Sequence, residues 1–308
     1  MIKVGVQSAS WYNKDDPDGS FAYIKDCGFE AVDFNIDTFL SCSKLSKEGI
    51  FPSIFDKTTE ELKEYFTPLK NASEKYGIVI NQMHAPFPPH FKGLDEVNDY
   101  IFKAIDKCFA VAEFLNCGAV VVHPIAGVTA EEEWDITINF YRSFIPVIKK
   151  YKGVKICLEN IFTRRPGRMI EGRLSNSYDA CRMLDILNSE AGGEYFGFCL
   201  DIGHTNLTGR NVKEYIKMLG SRLTILHIHD NDGKEDLHMI PYTYLATTTA
   251  HVCDWQGFVE GLKEIGFYGV LSFETCRIFS AFPKPVHKDV LKLIASIGHY
   301  WKDELTKE

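Results

Sequence analysis

The stretch Leu223–His238, LTILHIHDNDGKEDLH, concentrates groups able to hold a cation or move a proton. His227, His229, Asp230, Asp232, Asp236 and His238 fall at or just beyond the end of an apolar run of the kind that forms a buried strand. A surface loop has no need of such a set. Five other apolar runs end similarly, in Met83-His84-Ala85, Val122-His123-Pro124, Leu158-Glu159-Asn160, Leu200-Asp201-Ile202-Gly203-His204 and Phe273-Glu274-Thr275. If these ends converge, carboxylates and imidazoles crowd one place, and a divalent cation resolves the repulsion and unmet polarity. Mixed carboxylate and imidazole donors suit Mn2+, Zn2+, Co2+ or Fe2+ better than Ca2+. Cys157, Cys199 and Cys276 each stand two residues from an acid, on the same strand face, and read as lining beneath the site and not as ligands.

The elements that must position these residues are legible as an alternation. Eight short apolar runs, Lys3–Gln7, Ala31–Asn35, Ile78–Met83, Ala119–Val122, Val154–Leu158, Tyr195–Leu200, Leu223–Ile228 and Val270–Phe273, are separated by helical patterns. In the longest clear stripe, Leu62, Tyr65, Phe66, Leu69, Ala72 and Tyr76 recur at three- and four-residue steps. Strand followed by helix, eight times over, predicts an α/β fold, a (β/α)8 TIM barrel, whose strands all end at one mouth. No interior linker or repeat divides the chain, so residues 1–308 read as a single domain. Two long connections, 36–58 and 238–254, follow strands and are expected to cover that mouth. The helical pattern expected over Ala130–Tyr151 follows the fourth strand.

Composition narrows the partners. A net charge of -8 over 308 residues, without a run of Lys and Arg, argues against nucleic acid. The nine cysteines form no C-x-x-C pair and read as reduced, which with the absence of a signal-like opening or long apolar span predicts a cytoplasmic protein away from membranes.

Taken in order, Met83–Phe87 (MHAPF), Val121–Pro124 (VVHP), Leu158–Asn160 (LEN), Leu200–His204 (LDIGH), His227–His238 (HIHDNDGKEDLH) and Phe273–Thr275 (FET) resemble the motifs of the xylose-isomerase-like barrel superfamily. Its members include sugar-phosphate isomerases and epimerases, ketose 3-epimerases, inosose dehydratases and apurinic endonucleases of the endonuclease IV type. The resemblance implies one divalent ion, Mn2+, Zn2+ or Co2+, held by Glu159, Asp201, His229 and Glu274. It also makes Glu159 and Glu274 the acid/base pair on opposite sides of the reacting carbon. His229 is preferred to His227 because the family's metal histidine precedes the Asn-Asp of an H-x-N-D motif, here His229-Asp230-Asn231-Asp232. His204 is expected to face substrate oxygens, with His84, His123, Asp236, His238, Arg277 and Trp11 as further substrate contacts.

The chemistry agrees with that division of labour. A proton beside a sugar carbonyl is too weakly acidic to leave unaided, so positive charge must stabilise the enediolate while a carboxylate reaches the carbon. The expected activity is metal-dependent isomerisation or epimerisation of a small sugar, with dehydration from the same enediolate as a variant. A second reading is a three-zinc endonuclease, for which His84, His123, Glu159, Asp201, His204, His229, Asp236, His238 and Glu274 supply nine candidate ligands. The acidic chain argues against it. A third is a sugar-binding barrel without turnover. Where sugar-active relatives usually carry Pro-Gly-x-Gly, this chain has Pro241-Tyr242-Thr243-Tyr244, so Tyr242, Tyr244 and His251 either read substrate hydroxyls or pack on the barrel. Arg164, Arg165 and Arg168 read as a solvated loop, and relatives' pairing habits leave a homo-oligomer open.

Overall fold

The computed structural model describes residues 2–125, 131–245 and 251–307. Eight parallel strands succeed one another in chain order within one sheet: β1 (Lys3–Gln7), β2 (Ala31–Phe34), β3 (Val79–His84), β4 (Ala119–Val121), β5 (Lys155–Glu159), β6 (Phe196–Asp201), β7 (Leu223–His227) and β8 (Val270–Phe273). β8 lies beside β1, with Gly5 opposite Ser272. A parallel bridge between Ile228 and Phe273 completes the ring, with Glu274 N–H donating to Ile228 O at 2.9 Å. The chain is the (β/α)8 barrel that the alternation predicts.

Local chemistry sets the helix limits. Helix Thr59–Tyr76 opens on a reciprocal cap, Thr58 N–H donating to Glu61 Oε2 at 2.7 Å and Glu61 N–H to Thr58 Oγ1 at 3.3 Å, and closes on Gly77 at φ +62°. Helix Pro17–Cys27 begins earlier than its apolar stripe, because Asp16 caps it and Pro17 fits the first turn. The long helix expected after β4 is instead two pieces, Glu133–Ser143 and Ile145–Ile148, interrupted next to Pro146, which has no N–H to donate. Its expected first residue, Ala130, lies outside the described residues.

Two apolar layers result. Between strands and helices, large side chains dominate, as where Phe273 of β8 stacks on buried Trp301 of helix His287–Thr306 with ring centroids 5.7 Å apart. Inside the barrel, beneath the mouth, sits a smaller cluster of Ala119, Val121, Cys157, Cys199 and Ile225. Two of the three cysteines expected to line the interior therefore do so, and all nine cysteines are free thiols. The connection after β2 is too apolar for a solvated loop and folds into helix Cys42–Glu48, burying Leu40, Leu45 and Phe55. No helix among the described residues is long and apolar enough to cross a membrane.

Candidate active site

Asp201, the last residue of β6, does two things at once. Its Oδ1 accepts the His204 N–H at 2.6 Å, capping the short helix Ile202–Leu207, while the carboxylate faces His229 Nε2 at 3.1 Å. Asn160 fastens the ends of β5 and β6 together: its Oδ1 accepts Asp201 N–H at 2.8 Å and its Nδ2 donates to Asp201 O at 2.9 Å. The same Asn160 offers its carbonyl to His204 Nδ1 at 2.8 Å, which fixes that ring. These three contacts account for an asparagine following Glu159 at the end of β5.

His229 lies just past β7, fully buried, its ring stacked on His238 at 4.0 Å between centroids. Gly203 provides the room for it, because a Cβ at that position would come within 1.9 Å of His229 Cε1. Asp236 sits among three imidazoles, 3.7 Å from His204 Nε2, 3.6 Å from His229 Nε2 and 3.0 Å from His238 Nε2. Burial would raise its carboxyl, but nearby His204 and hydrogen-bonded His238 hold it well below the usual carboxylate range. For His238, burial is outweighed by Glu274 and Asp236, which push its imidazole up to about 9.

Glu159 and Glu274 face the same imidazole, that of His227. Its Nδ1 is 2.9 Å from Glu159 Oε1 and 3.5 Å from Glu274 Oε2. The two carboxyls respond oppositely. Burial raises both, but His123 and His227 bring Glu159 well below its ordinary value, whereas Glu274 stays raised by burial with Asp201 and Glu159 adding repulsion. His123 Nε2 lies 2.6 Å from Glu159 Oε2, close enough for an ion pair, yet neither atom is aligned for a hydrogen bond with any partner. His84 packs against both His123 and His227, and burial, aided by those two rings, pushes it down to about 3.

Whether these residues fit a divalent ion is read from the buried polar atoms they leave unmet. Glu159 Oε2, His123 Nε2 and Asp236 Oδ1 are all of this kind, each belonging to a group that normally coordinates a metal. Triads with ligand atoms within 4.8 Å of one another include His84–His123–Glu159 and two that share His229, Asp201–His204–His229 and His229–His238–Glu274. The donor set therefore fits a divalent cation. The four expected ligands fall into two pairs: Asp201 contacts His229 directly, and Glu159 and Glu274 meet at His227.

Other expected site residues fall on the margins. Trp11, after β1, is half-buried and donates its indole N–H to Gln7 O at 2.6 Å. Arg277 is exposed, and among the described residues no hydrogen bond or ion pair joins it to the cluster. Arg164, Arg165 and Arg168 are not loop residues. They belong to an antiparallel hairpin, Phe162–Arg165 paired with Arg168–Glu171, turning at Gly167 with φ +78°. Phe162 at its base meets the His204 ring edge-on at 5.0 Å, and Arg164 pairs with Glu235 at 2.8 Å. Tyr242 turns outward, its hydroxyl accepting the Trp301 indole N–H at 2.9 Å, so it packs on the barrel. The threonine-rich part of that connection, 246–250, lies outside the described residues.

Two residues of the cluster were outside the expected set. His227, passed over in the sequence in favour of His229, touches both glutamates. Asp33 of β2, 3.2 Å from His227 Nε2, is fully buried. An aspartate inside the apolar run Ala-Val-Asp-Phe was the available signal for it.

Comparison with known proteins agrees with this architecture. The chain is 27% identical over 239 residues to an uncharacterized protein of Methanocaldococcus jannaschii, covering 73% of this chain and 74% of that one. Among solved structures it resembles a D-tagatose 3-epimerase-like protein, at 24% identity with a TM-score of 0.63 over 97% of this chain and 98% of the other. It also resembles an IOLI protein with a binding zinc atom, at 18% identity and a TM-score of 0.62, over 98% and 97% of the two chains. The pattern of the xylose isomerase-like TIM barrel family matches residues 21–297, and the chain belongs to that family.

Proposed function

We propose that the protein is a divalent-metal-dependent isomerase or epimerase of a small sugar, acting in the cytoplasm as a single domain over residues 1–308. The observation that carries this reading is the pair Glu159 and Glu274, two carboxyls at one barrel mouth that approach the same atom, His227 Nδ1, at 2.9 and 3.5 Å, beside the Asp201–His229 pair. Two carboxyls at one mouth are what proton removal and return at a carbon require. The epimerase-like and zinc-bearing structures that the chain resembles support the same choice.

In this reading Glu159, Asp201, His229 and Glu274 hold one ion, Mn2+, Zn2+ or Co2+. When bound, the ion supplies positive charge against the negative oxygen that develops as a proton leaves the carbon beside a carbonyl. Glu159, kept ionised by His123 and His227, accepts that proton. Delivery of a proton by Glu274 on the opposite face inverts the centre, whereas return of the proton by one carboxylate to the neighbouring carbon isomerises the sugar. His204, its Nδ1 fixed on Asn160 O, leaves Nε2 for substrate oxygens. His84, His123, Asp236, His238, Arg277 and Trp11 are assigned to the substrate side.

A second reading is favoured by one specific observation: the triad His84–His123–Glu159 shares no residue with Asp236 and its contacts His204 and His238, which offers donors to further ions, as a three-metal phosphodiesterase needs. Metal analysis of the purified protein separates the two. One ion per chain is the expected result; three ions, with nicking of abasic duplex DNA, would establish the second reading instead.

A further inference from the structure

We propose that Asp33 and His227 form a brace that sets the positions of the Glu159 and Glu274 carboxylates, so that β2, which supplies no expected ligand, acts on the site through β7. The inference rests on the reading of those glutamates as metal-holding acid and base. Its starting point is a carboxylate in an improbable place. Asp33 stands in an apolar strand with no solvent exposure, where an ionised group is costly unless paired.

Its partners explain it. Asp33 Oδ2 accepts a hydrogen bond from Gln82 Nε2 at 3.1 Å and faces His227 Nε2 at 3.2 Å, an ion-pair distance although the alignment is not that of a hydrogen bond. Gln82 is itself held by Asn81 Nδ2 at 2.8 Å and reaches Leu226 O on β7 at 3.3 Å. The His227 ring lies nearly parallel to His84, with an interplanar angle of 12°, which limits its rotation. Its remaining nitrogen, Nδ1, is the atom that both glutamates approach. Asp33, Gln82 and His227 are all fully buried, leaving no surface from which water could take over any of these contacts. A displacement of this one ring therefore moves two carboxylates together. Ligating carboxylates and the groups that orient them are coupled in this manner at metal sites generally.

Asp33 and His227 are positioning residues, and the test reads metal binding apart from turnover. Chelator-treated wild type, Asp33→Asn, His227→Leu and His227→Asn are titrated with Mn2+ by calorimetry and with Co2+ by visible absorption, circular dichroism verifying the fold. Asp33→Asn and His227→Leu are expected to lose about 10–100-fold in metal affinity and to shift the Co2+ bands. His227→Asn, whose amide replaces Nδ1, is expected to recover part of that loss. Should Asp33→Asn not fold, Gln82→Met removes its support without touching either charged partner, and a weakened, spectrally shifted site is again expected. Wild-type affinity and an unchanged Co2+ spectrum in the folded variants would overturn the brace alone. Absence of metal binding by the wild type would instead overturn the functional reading on which it rests.

Discussion

The His229 imidazole occupies the space that a side chain on Gly203 would need, its Cε1 only 1.9 Å from where that Cβ would stand. Gly203 belongs to the segment that leaves β6 at Asp201, so the glycine and the aspartate facing His229 come from one turn of chain. Gly203→Ala is expected to force the ring away from Asp201. Overpacking of this kind costs about 1–3 kcal/mol. Calorimetric metal titration of the folded variant should show the loss as weaker binding, and wild-type affinity would mean that the ring has another place to go.

Glu159 and Glu274 should each be indispensable for turnover but not for folding. Glu159→Gln and Glu274→Gln are expected to lower kcat on the responsive sugar by about a hundred- to ten-thousand-fold. Thermal melting of the two variants should stay close to that of the wild type. An active Glu274→Gln enzyme would remove Glu274 from the acid/base pair.

His84 gives the metal-free protein a defined acid sensitivity. Its ordinary value of 6.5 applies to the unfolded chain, whereas burial in the folded protein lowers it to about 3. In that window the unfolded chain binds the extra proton, so the stability His84 contributes is present above 6.5 and is lost as the pH falls toward 3. The slope from this one group is about 1.4 kcal/mol per pH unit. Urea unfolding of metal-free His84→Gln between these limits should show a correspondingly flatter pH dependence than the wild type, and identical slopes would contradict the assignment.

Tyr242 offers a control outside the mouth. Its hydroxyl accepts from the Trp301 indole on the helix side of the barrel. Tyr242→Phe should cost about 1 kcal/mol of stability, the net worth of a hydrogen bond, and leave kcat/KM unchanged. A fall in kcat/KM would place this residue in substrate recognition after all.

How much of this was legible in the sequence follows from what a parallel barrel does to a chain. Strands buried on both faces run largely apolar until they reach the mouth, so His84, Glu159, Asp201 and Glu274 announced themselves as the first imidazole or carboxylate residues after such runs. Depth within the barrel is not coded in the same way. His227 and His229 share a strand face at period two, and only the pairing of Asp201 with His227 across β6 and β7 sets the level at which each ring lies. Asp33 was missed because β2 carries no ligand motif, and its partners, Gln82 and His227, are distant in sequence. The hairpin after β5 had a turn signal in Pro166-Gly167, but its three arginines gave it the composition of a loop.

A mouth that moves a proton to and from a carbon of a sugar must leave solvent hydrogen in its product, which turnover in D2O reads out. With the metal-loaded wild type and a panel of ketoses and aldoses, the product is expected to carry one non-exchangeable deuterium at the carbon whose configuration or oxidation level changes, measured by NMR and mass spectrometry. Product formed without solvent deuterium, or metal-loaded protein that converts no sugar and nicks abasic DNA, would contradict the account.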